Sequence, residues 1–143
     1  MQNRASEAVA CFNGGFNCAQ AVFSTYCGQF SLEQETALRV ACGLGGGMGK
    51  LQETCGAVSG AYLVIGLKHG QYLPGDTAAK ETTYALVREF ARRFEERNQS
   101  TSCRALLGID LMDCDREIAA ARVKQVCPNM VRDAVEILEA LFS

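Results

Sequence analysis

The most constraining feature of this chain is an apolar run that begins just after a cysteine. From Val58 to Leu67 almost every residue is apolar or glycine, on all sides of a helix rather than along one stripe. This is the composition of a helix buried in a core, and the run is too short to span a bilayer. Thr54 is a favoured N-cap residue, which would place Cys55 in the first helical turn. The sequence therefore predicts a buried central helix over about residues 54–69 with a thiol at its N-terminus.

That position should make the Cys55 thiol more acidic than an exposed cysteine. The first turn of a helix has unpaired backbone N–H groups and carries the positive end of the helix dipole, and both stabilise an anion. A thiolate is such an anion. We therefore expect the pKa of Cys55 to be lowered and its sulfur to be the reactive atom at the mouth of the central helix.

Helical periodicity and helix-terminal signals account for most of the remaining chain. No strand-like alternation of any length occurs. The further predicted helices are those over residues 5–13, from Asn17 to Cys27, from a capping box at residues 31–34 to Cys42, from Asp76 to about Asn98, over residues 103–108, over residues 115–124, and from Cys127 onward with Pro128 at its first position. We therefore predict an all-α fold, a compact single domain over residues 1–143 with roughly five to seven helices packed around the central helix.

Composition limits the classes of partner. With 143 residues and 48% hydrophobic residues, the chain can bury about two-thirds of its unfolded surface. The net charge is −2 and the basic residues are dispersed, so the sequence predicts no basic patch that would bind nucleic acid. The N-terminus enters an amphipathic helix without an apolar signal core, and no later stretch is long enough for a membrane span. We expect a cytoplasmic domain with no nucleic-acid partner and no membrane span, and homo-oligomerisation is left open.

Residues 43–50, Gly-Leu-Gly-Gly-Gly-Met-Gly-Lys, interrupt the helical pattern. A Walker phosphate loop would need glycine in place of Leu44 and serine or threonine in place of Leu51. A dinucleotide-binding fingerprint would need glycine in place of Met48 and a preceding strand. Two interpretations stay open: a tightly turning connection that lets the backbone pass close to the core, which we favour, and a loop whose N–H groups bind a cluster or an anionic substrate.

Eight cysteines are the second unusual feature of the sequence. A chain with a full-sized apolar core and no export signal needs no disulfide framework. No Cys-x-x-Cys pair is present and His69 is the only histidine, which disfavours a zinc ribbon, a thioredoxin-like site or a mixed Cys/His zinc site. Half of the cysteines lie at predicted helix N-termini, more than a purely structural role would give: Cys18, Cys55, Cys103 and Cys127. The other four are interpreted as structural: Cys11, Cys27, Cys42 and Cys114.

These cysteines and their surroundings form a pattern that covers nearly the whole chain. Its parts are Phe-Asn-Cys-Ala-Gln-Ala-Val at residues 16–22, the glycine-rich residues 43–49, Glu-Thr-Cys-Gly-Ala-Val-Ser-Gly-Ala at residues 53–61, Cys-Arg-Ala-Leu-Leu-Gly at residues 103–108, Cys-Pro at residues 127–128 and Val-Arg-Asp-Ala at residues 131–134. Together they resemble the family of redox-active proteins named after the pattern C_GCAxxG_C_C. Around Cys55 this chain has Thr-Cys-Gly-Ala where the family pattern has Gly-Cys-Ala.

The resemblance implies a helical fold and a redox role, and it carries the four signature cysteines onto Cys18, Cys55, Cys103 and Cys127. Relatives with this domain are associated with iron–sulfur or electron-transfer contexts. Three hypotheses follow. The first is thiol/disulfide or electron-transfer chemistry with an unknown redox partner, in which these cysteines are catalytic. The second is a site for zinc or an iron–sulfur cluster, in which the same four cysteines are metal ligands. The third is a non-catalytic helical binding or scaffold protein with buried cysteines.

Overall fold

The structure, a computed structural model, describes residues 3–143. This part of the chain contains seven regular α-helices, one irregular turn labelled α4, a short 3₁₀ turn at Gly28–Phe30 and no β-strand. The elements are α1 (Arg4–Asn13), α2 (Cys18–Cys27), α3 (Gln34–Cys42), α4 (Gly45–Met48), α5 (Gly56–His69), α6 (Thr77–Asn98), α7 (Cys103–Leu107) and α8 (Arg116–Phe142). The predicted all-α fold is confirmed.

Helix α5 is the central helix, and it packs most extensively against α2. Glycines at two successive turns of α5 allow this close packing. A Cβ on Gly60 would lie 2.9 Å from the carbonyl oxygen of Ala19, and a Cβ on Gly56 would lie 3.3 Å from the Cβ of Cys18. A side chain at either position would push the two helices apart. The N-termini of α2 and α5 are therefore adjacent, and each carries a cysteine.

Several helix ends lie where the sequence predicts them. The Oδ1 atom of Asn17 accepts a hydrogen bond from the backbone N–H of Gln20 at 2.9 Å, and the Oε1 atom of Gln20 accepts one from the N–H of Asn17 at 3.0 Å. This capping box opens α2 with Cys18 as its first residue. Asp76 caps α6, since its Oδ1 atom accepts from the N–H of Ala79 at 3.1 Å.

Two predicted helix starts are wrong. The capping box at residues 31–34 does not form, because Ser31 ends the preceding 3₁₀ turn with a φ of 59° and α3 begins at Gln34 without a side-chain cap. Residues 115–124 and the segment after Cys127 are not two helices but one, α8, with Pro128 inside it. Proline lacks the N–H that would bond to the carbonyl four residues earlier. Burial of the apolar residues that follow Pro128, including Val131 and Leu138, favours the continuous helix despite that lost bond.

In residues 3–143, no helix combines the length and the hydropathy needed to cross a membrane. The predicted absence of a membrane-spanning helix is consistent with this finding.

Candidate functional site

Four cysteines that are far apart in the sequence line a single cavity of about 80 Å³. Cys18 lies in α2 and Cys55 immediately precedes α5. Cys103 lies in α7 and Cys127 in α8. The rest of the wall is mostly apolar and includes Phe12, Leu106, Leu107, Val126 and Met130. The structure thus brings together the four cysteines that the sequence singled out, and all eight thiols of the chain are free.

The positions of Cys55 and Cys103 are fixed by a short antiparallel backbone pairing. Thr54 and Ser102 form an isolated β-bridge. The N–H of Cys55 donates to the carbonyl oxygen of Thr101 at 2.7 Å, and the N–H of Cys103 donates to that of Glu53 at 2.7 Å. The predicted capping role of Thr54 is wrong, since Cys55 itself is the N-cap residue of α5. Ser102 does cap α7, since its Oγ atom accepts from the N–H of Ala105 at 3.3 Å.

The glycine-rich segment forms one wall of the cavity through a left-handed turn. Positive φ angles run from Gly46 through Lys50, with values of 64°, 65°, 72°, 59° and 68°. Glycine adopts this conformation without the steric cost that other residues meet. A Cβ on Gly47 would lie 2.6 Å from the Cβ of Cys103 and 2.6 Å from the Cα of Gln52. The backbone therefore passes close to the core at Gly47, as the favoured interpretation of this segment requires.

Gln52 is a site residue that the sequence reasoning missed. Its side chain is buried, with 5% exposed, and its φ is 56°. The amide donates to the carbonyl oxygen of Ile109 at 2.8 Å and accepts from the N–H of Leu111 at 2.7 Å. Burial raises the pKa of the Cys103 thiol, and the Gln52 side chain partly opposes that rise. Gln52 thus ties the loop after α7 to the cavity. No local sequence signal marks it, because a lone glutamine beside a glycine-rich segment is ordinary surface composition.

The expected low pKa of Cys55 is wrong. Burial raises the pKa of this thiol from a usual value near 9 to about 12. The backbone N–H groups of Ala57 and Val58 act to lower the pKa, as a helix N-terminus should, but they do not offset the loss of water. With only 5% of its surface exposed, Cys55 stays protonated near neutral pH. Burial likewise raises the pKa of Cys103.

Cys18 and Cys127 form the most strongly interacting pair in the cavity. Hydrogen bonding with Cys127, followed by burial, raises the pKa of Cys18 well above its usual range. The same hydrogen bond lowers the pKa of Cys127. Cys127 is also partly exposed, whereas Cys18 is only 7% exposed. Contrary to the prediction, Cys127 does not lie at a helix N-terminus but within α8. Its acidity therefore comes from its thiol neighbour and not from a helix end.

The raised pKa of Cys55 predicts a pH-dependent stability. In the unfolded chain this thiol ionises near pH 9, but in the folded protein it ionises only near pH 12. Its contribution is therefore fully present below pH 9 and is lost as the pH rises from 9 to 12. Between pH 8 and pH 10, the free energy of unfolding of the wild type should fall by about 1.4 kcal/mol more than that of Cys55→Ser. Urea titrations under reducing conditions measure this difference, and equal slopes for the two proteins would contradict it.

The thiols are not arranged as a metal site. Within residues 3–143, no group of three or more histidine, cysteine, aspartate or glutamate side chains has the geometry to hold a metal ion. The four cavity cysteines have the chemistry of a zinc or iron–sulfur ligand set. As placed, they do not fit either group.

Comparison with known families gives a match that covers nearly the whole chain. A family model described as "Putative redox-active protein (C_GCAxxG_C_C)" matches residues 16–141. The chain belongs to this family. All four cavity cysteines of this C_GCAxxG_C_C protein lie within the matched range, as does the left-handed glycine turn. Comparisons with curated proteins and with solved structures found no match.

Proposed function

We propose that this protein carries out thiol/disulfide exchange and that Cys18 and Cys127 are its redox pair. The interaction of these two thiols in one cavity is the observation that supports the proposal. They lie on α2 and α8, over 100 positions apart in the sequence, so only the tertiary fold brings them together. A hydrogen-bonded pair of thiols with unequal exposure suits an attacking and a resolving cysteine.

Cys127 is the attacking residue in this proposal. It is the more exposed thiol of the pair, and its lowered pKa increases the fraction present as thiolate. The thiolate attacks one sulfur of a substrate disulfide. A mixed disulfide forms between Cys127 and that sulfur, the substrate S–S bond breaks, and the other half of the substrate leaves as a thiolate.

Cys18 resolves the mixed disulfide. Its thiol loses its proton, which passes to the thiolate that has left, and its sulfur attacks Sγ of Cys127. The Cys18–Cys127 disulfide forms and the second half of the substrate leaves as a thiolate, which takes up a proton from water to replace the one that Cys127 lost on ionising. The protein pair is oxidised by two electrons and the substrate disulfide is reduced to two thiols. A dithiol reductant then restores the pair, which suits a reducing compartment such as the cytoplasm.

Cys55 and Cys103 are supporting residues in this scheme. Burial keeps both thiols protonated, so neither competes with Cys127 as a nucleophile. If either thiol ionised, its negative charge would raise the pKa of Cys18. Neutral thiols at these positions therefore avoid a further rise in the pKa of Cys18, which has to lose its proton when it resolves the mixed disulfide.

The test is mass spectrometry of protein isolated without oxygen, before and after mild oxidation with a small disulfide. The oxidised protein should lose two hydrogens, reversibly, and peptide mapping should locate the bond between Cys18 and Cys127. The exposed Cys42 is the internal control and should remain unpaired. A fresh sample that retains zinc, or iron with sulfide, would instead favour a metal or cluster protein. A metal-free sample without reversible pairing would favour the scaffold hypothesis.

A further inference from the structure

A second, larger cavity adjoins the cysteine cavity. It has a volume of about 440 Å³ and shares four wall residues with the first: Asn17, Gly46, Leu111 and Val123. We call it the outer cavity, and its remaining wall residues are Gly45, Lys50, Arg116, Ala119 and Ala120. Val123 lies one helical turn before Cys127 on α8, so the two side chains are on the same face of that helix. A molecule in the outer cavity is thus next to the proposed redox pair.

The charge lining the outer cavity is entirely positive. Lys50 and Arg116 are its only charged wall residues, and neither takes part in an ion pair within residues 3–143. Two carboxylates near Arg116 in the sequence have other partners: Asp110 pairs with Arg104 at 3.4 Å, and Asp115 caps α8 through its bond to the N–H of Glu117 at 2.8 Å. The two cations are therefore available to a ligand.

The left-handed turn holds Lys50 at the boundary between the two cavities. The Cγ atom of Lys50 lies 3.1 Å from the place that a Cβ on Gly46 would take. Its aliphatic stem thus covers Gly46, which lines both cavities, and Lys50 as a whole is exposed. Apolar wall residues, including Ala119 and Val123, offer contact to the carbon atoms of a ligand.

We propose that the outer cavity selects small organic disulfides that carry a carboxylate. This inference rests on the proposed function, because it names the substrate class of the Cys18–Cys127 pair. Lys50 and Arg116 attract and orient the carboxylate, the apolar wall contacts the chain of carbon atoms, and the disulfide bond lies toward Cys127. A neutral disulfide lacks the first of these interactions, and a cationic one is repelled.

The first experiment compares three disulfides of similar size. Dithiodipropionate is anionic, hydroxyethyl disulfide is neutral and cystamine is cationic. The wild type should be oxidised fastest by the anionic reagent, by about fivefold over the neutral one, and the preference should shrink at 1 M salt. Lys50→Gln and Arg116→Gln should each lower the ratio of the rate with the anionic reagent to the rate with the neutral reagent. Lys80→Gln and Arg88→Gln are the controls, because they change the net charge equally but lie on α6 and line neither cavity. Both should keep the preference for the anionic reagent.

The second experiment does not depend on disulfide exchange. Iodoacetate and iodoacetamide both alkylate a thiolate, forming a C–S bond and releasing iodide, but only iodoacetate is charged. Peptide mapping gives the ratio of the two rates at Cys127 and at Cys42, which lines neither cavity. We expect the iodoacetate-to-iodoacetamide ratio to be severalfold higher at Cys127 and to fall to the Cys42 value in the Lys50→Gln, Arg116→Gln double variant.

The outcomes separate the two proposals. If all three disulfides oxidise the pair equally fast and the alkylation ratios match, the charge selection is refuted while the exchange function stands. If no disulfide oxidises the pair but the Cys127 ratio is high and depends on Lys50 and Arg116, the cavity attracts anions and the exchange function is refuted. In that case the assignment of a disulfide substrate is also wrong.

Discussion

Cys127→Ser should abolish the reduction of small disulfides, whereas Cys18→Ser should halt the reaction at its midpoint. A serine hydroxyl does not ionise near neutral pH, so without Cys127 no thiolate attacks the substrate, and the rate should fall by on the order of 100-fold or more. Without Cys18 the attack still occurs but nothing resolves the mixed disulfide. The Cys18→Ser protein should therefore accumulate one covalently bound half of the substrate on Cys127.

Intact mass spectrometry after reaction with hydroxyethyl disulfide measures both results, since the neutral reagent avoids any effect of the outer cavity. Cys42→Ser is the matched control, because Cys42 is exposed and outside the cysteine cavity, and it should react like the wild type. Trapping in Cys127→Ser and inertness in Cys18→Ser would reverse the two assigned roles. Full activity in both variants would refute the pair.

The rate at which Cys127 attacks the substrate should depend on the hydrogen bond between the Cys18 and Cys127 side chains. In Cys18→Ser a hydroxyl can still donate to the Cys127 sulfur, so the pKa of Cys127 should stay lowered, and trapping should be fast. In Cys18→Ala no donor remains, and burial then acts on Cys127 unopposed. Trapping should accordingly be slower in the alanine variant than in the serine variant at neutral pH.

The grouping of the cysteines was partly predictable because Cys18, Cys55 and Cys103 lie at helix starts, and two of these starts have a correctly predicted N-cap residue. Asn17 and Ser102 are N-cap residues in the structure, and cap chemistry is legible from a few neighbouring residues. Cys127 was selected for a wrong local reason, since Pro128 is inside a helix and not at its start. The resemblance to the family identified Cys127 independently, because the family pattern extends over the whole chain and does not depend on a helix end.

The acidity of the thiols and the Gln52 contacts depend on the tertiary fold. The N–H groups at the start of α5 act to lower the pKa of Cys55, but only the packing of α2, α7 and α8 around it determines how much water it loses. Gln52 bonds to backbone groups 57 and 59 positions away. Contacts at such separations leave no periodic trace in the sequence, so neither result could be deduced before the structure.

The sequence showed the left-handed turn only as a set of glycines. Among them, Gly47 is the residue at which a substitution should most disturb the cysteine cavity. Gly47→Ala should cost about 2–4 kcal/mol of stability. Part of the cost is the positive φ of 65°, which disfavours any residue with a Cβ. The larger part is steric, because the new methyl group would lie 2.6 Å from the Cβ of Cys103 and 2.8 Å from the backbone nitrogen of Glu53.

Gly49→Ala separates these two terms. Gly49 has a similar φ of 59°, but a Cβ there would meet no atom within 4 Å. It should therefore cost about 1 kcal/mol, the conformational part alone. Urea unfolding under reducing conditions gives both values. The methyl group in Gly47→Ala would overlap residues of the backbone pairing that positions Cys55 and Cys103. This variant should therefore also expose Cys103 to alkylation, whereas Gly49→Ala should not. Equal destabilisation by the two substitutions would mean that Gly47 serves only the turn and that the cysteine cavity does not depend on its close contact.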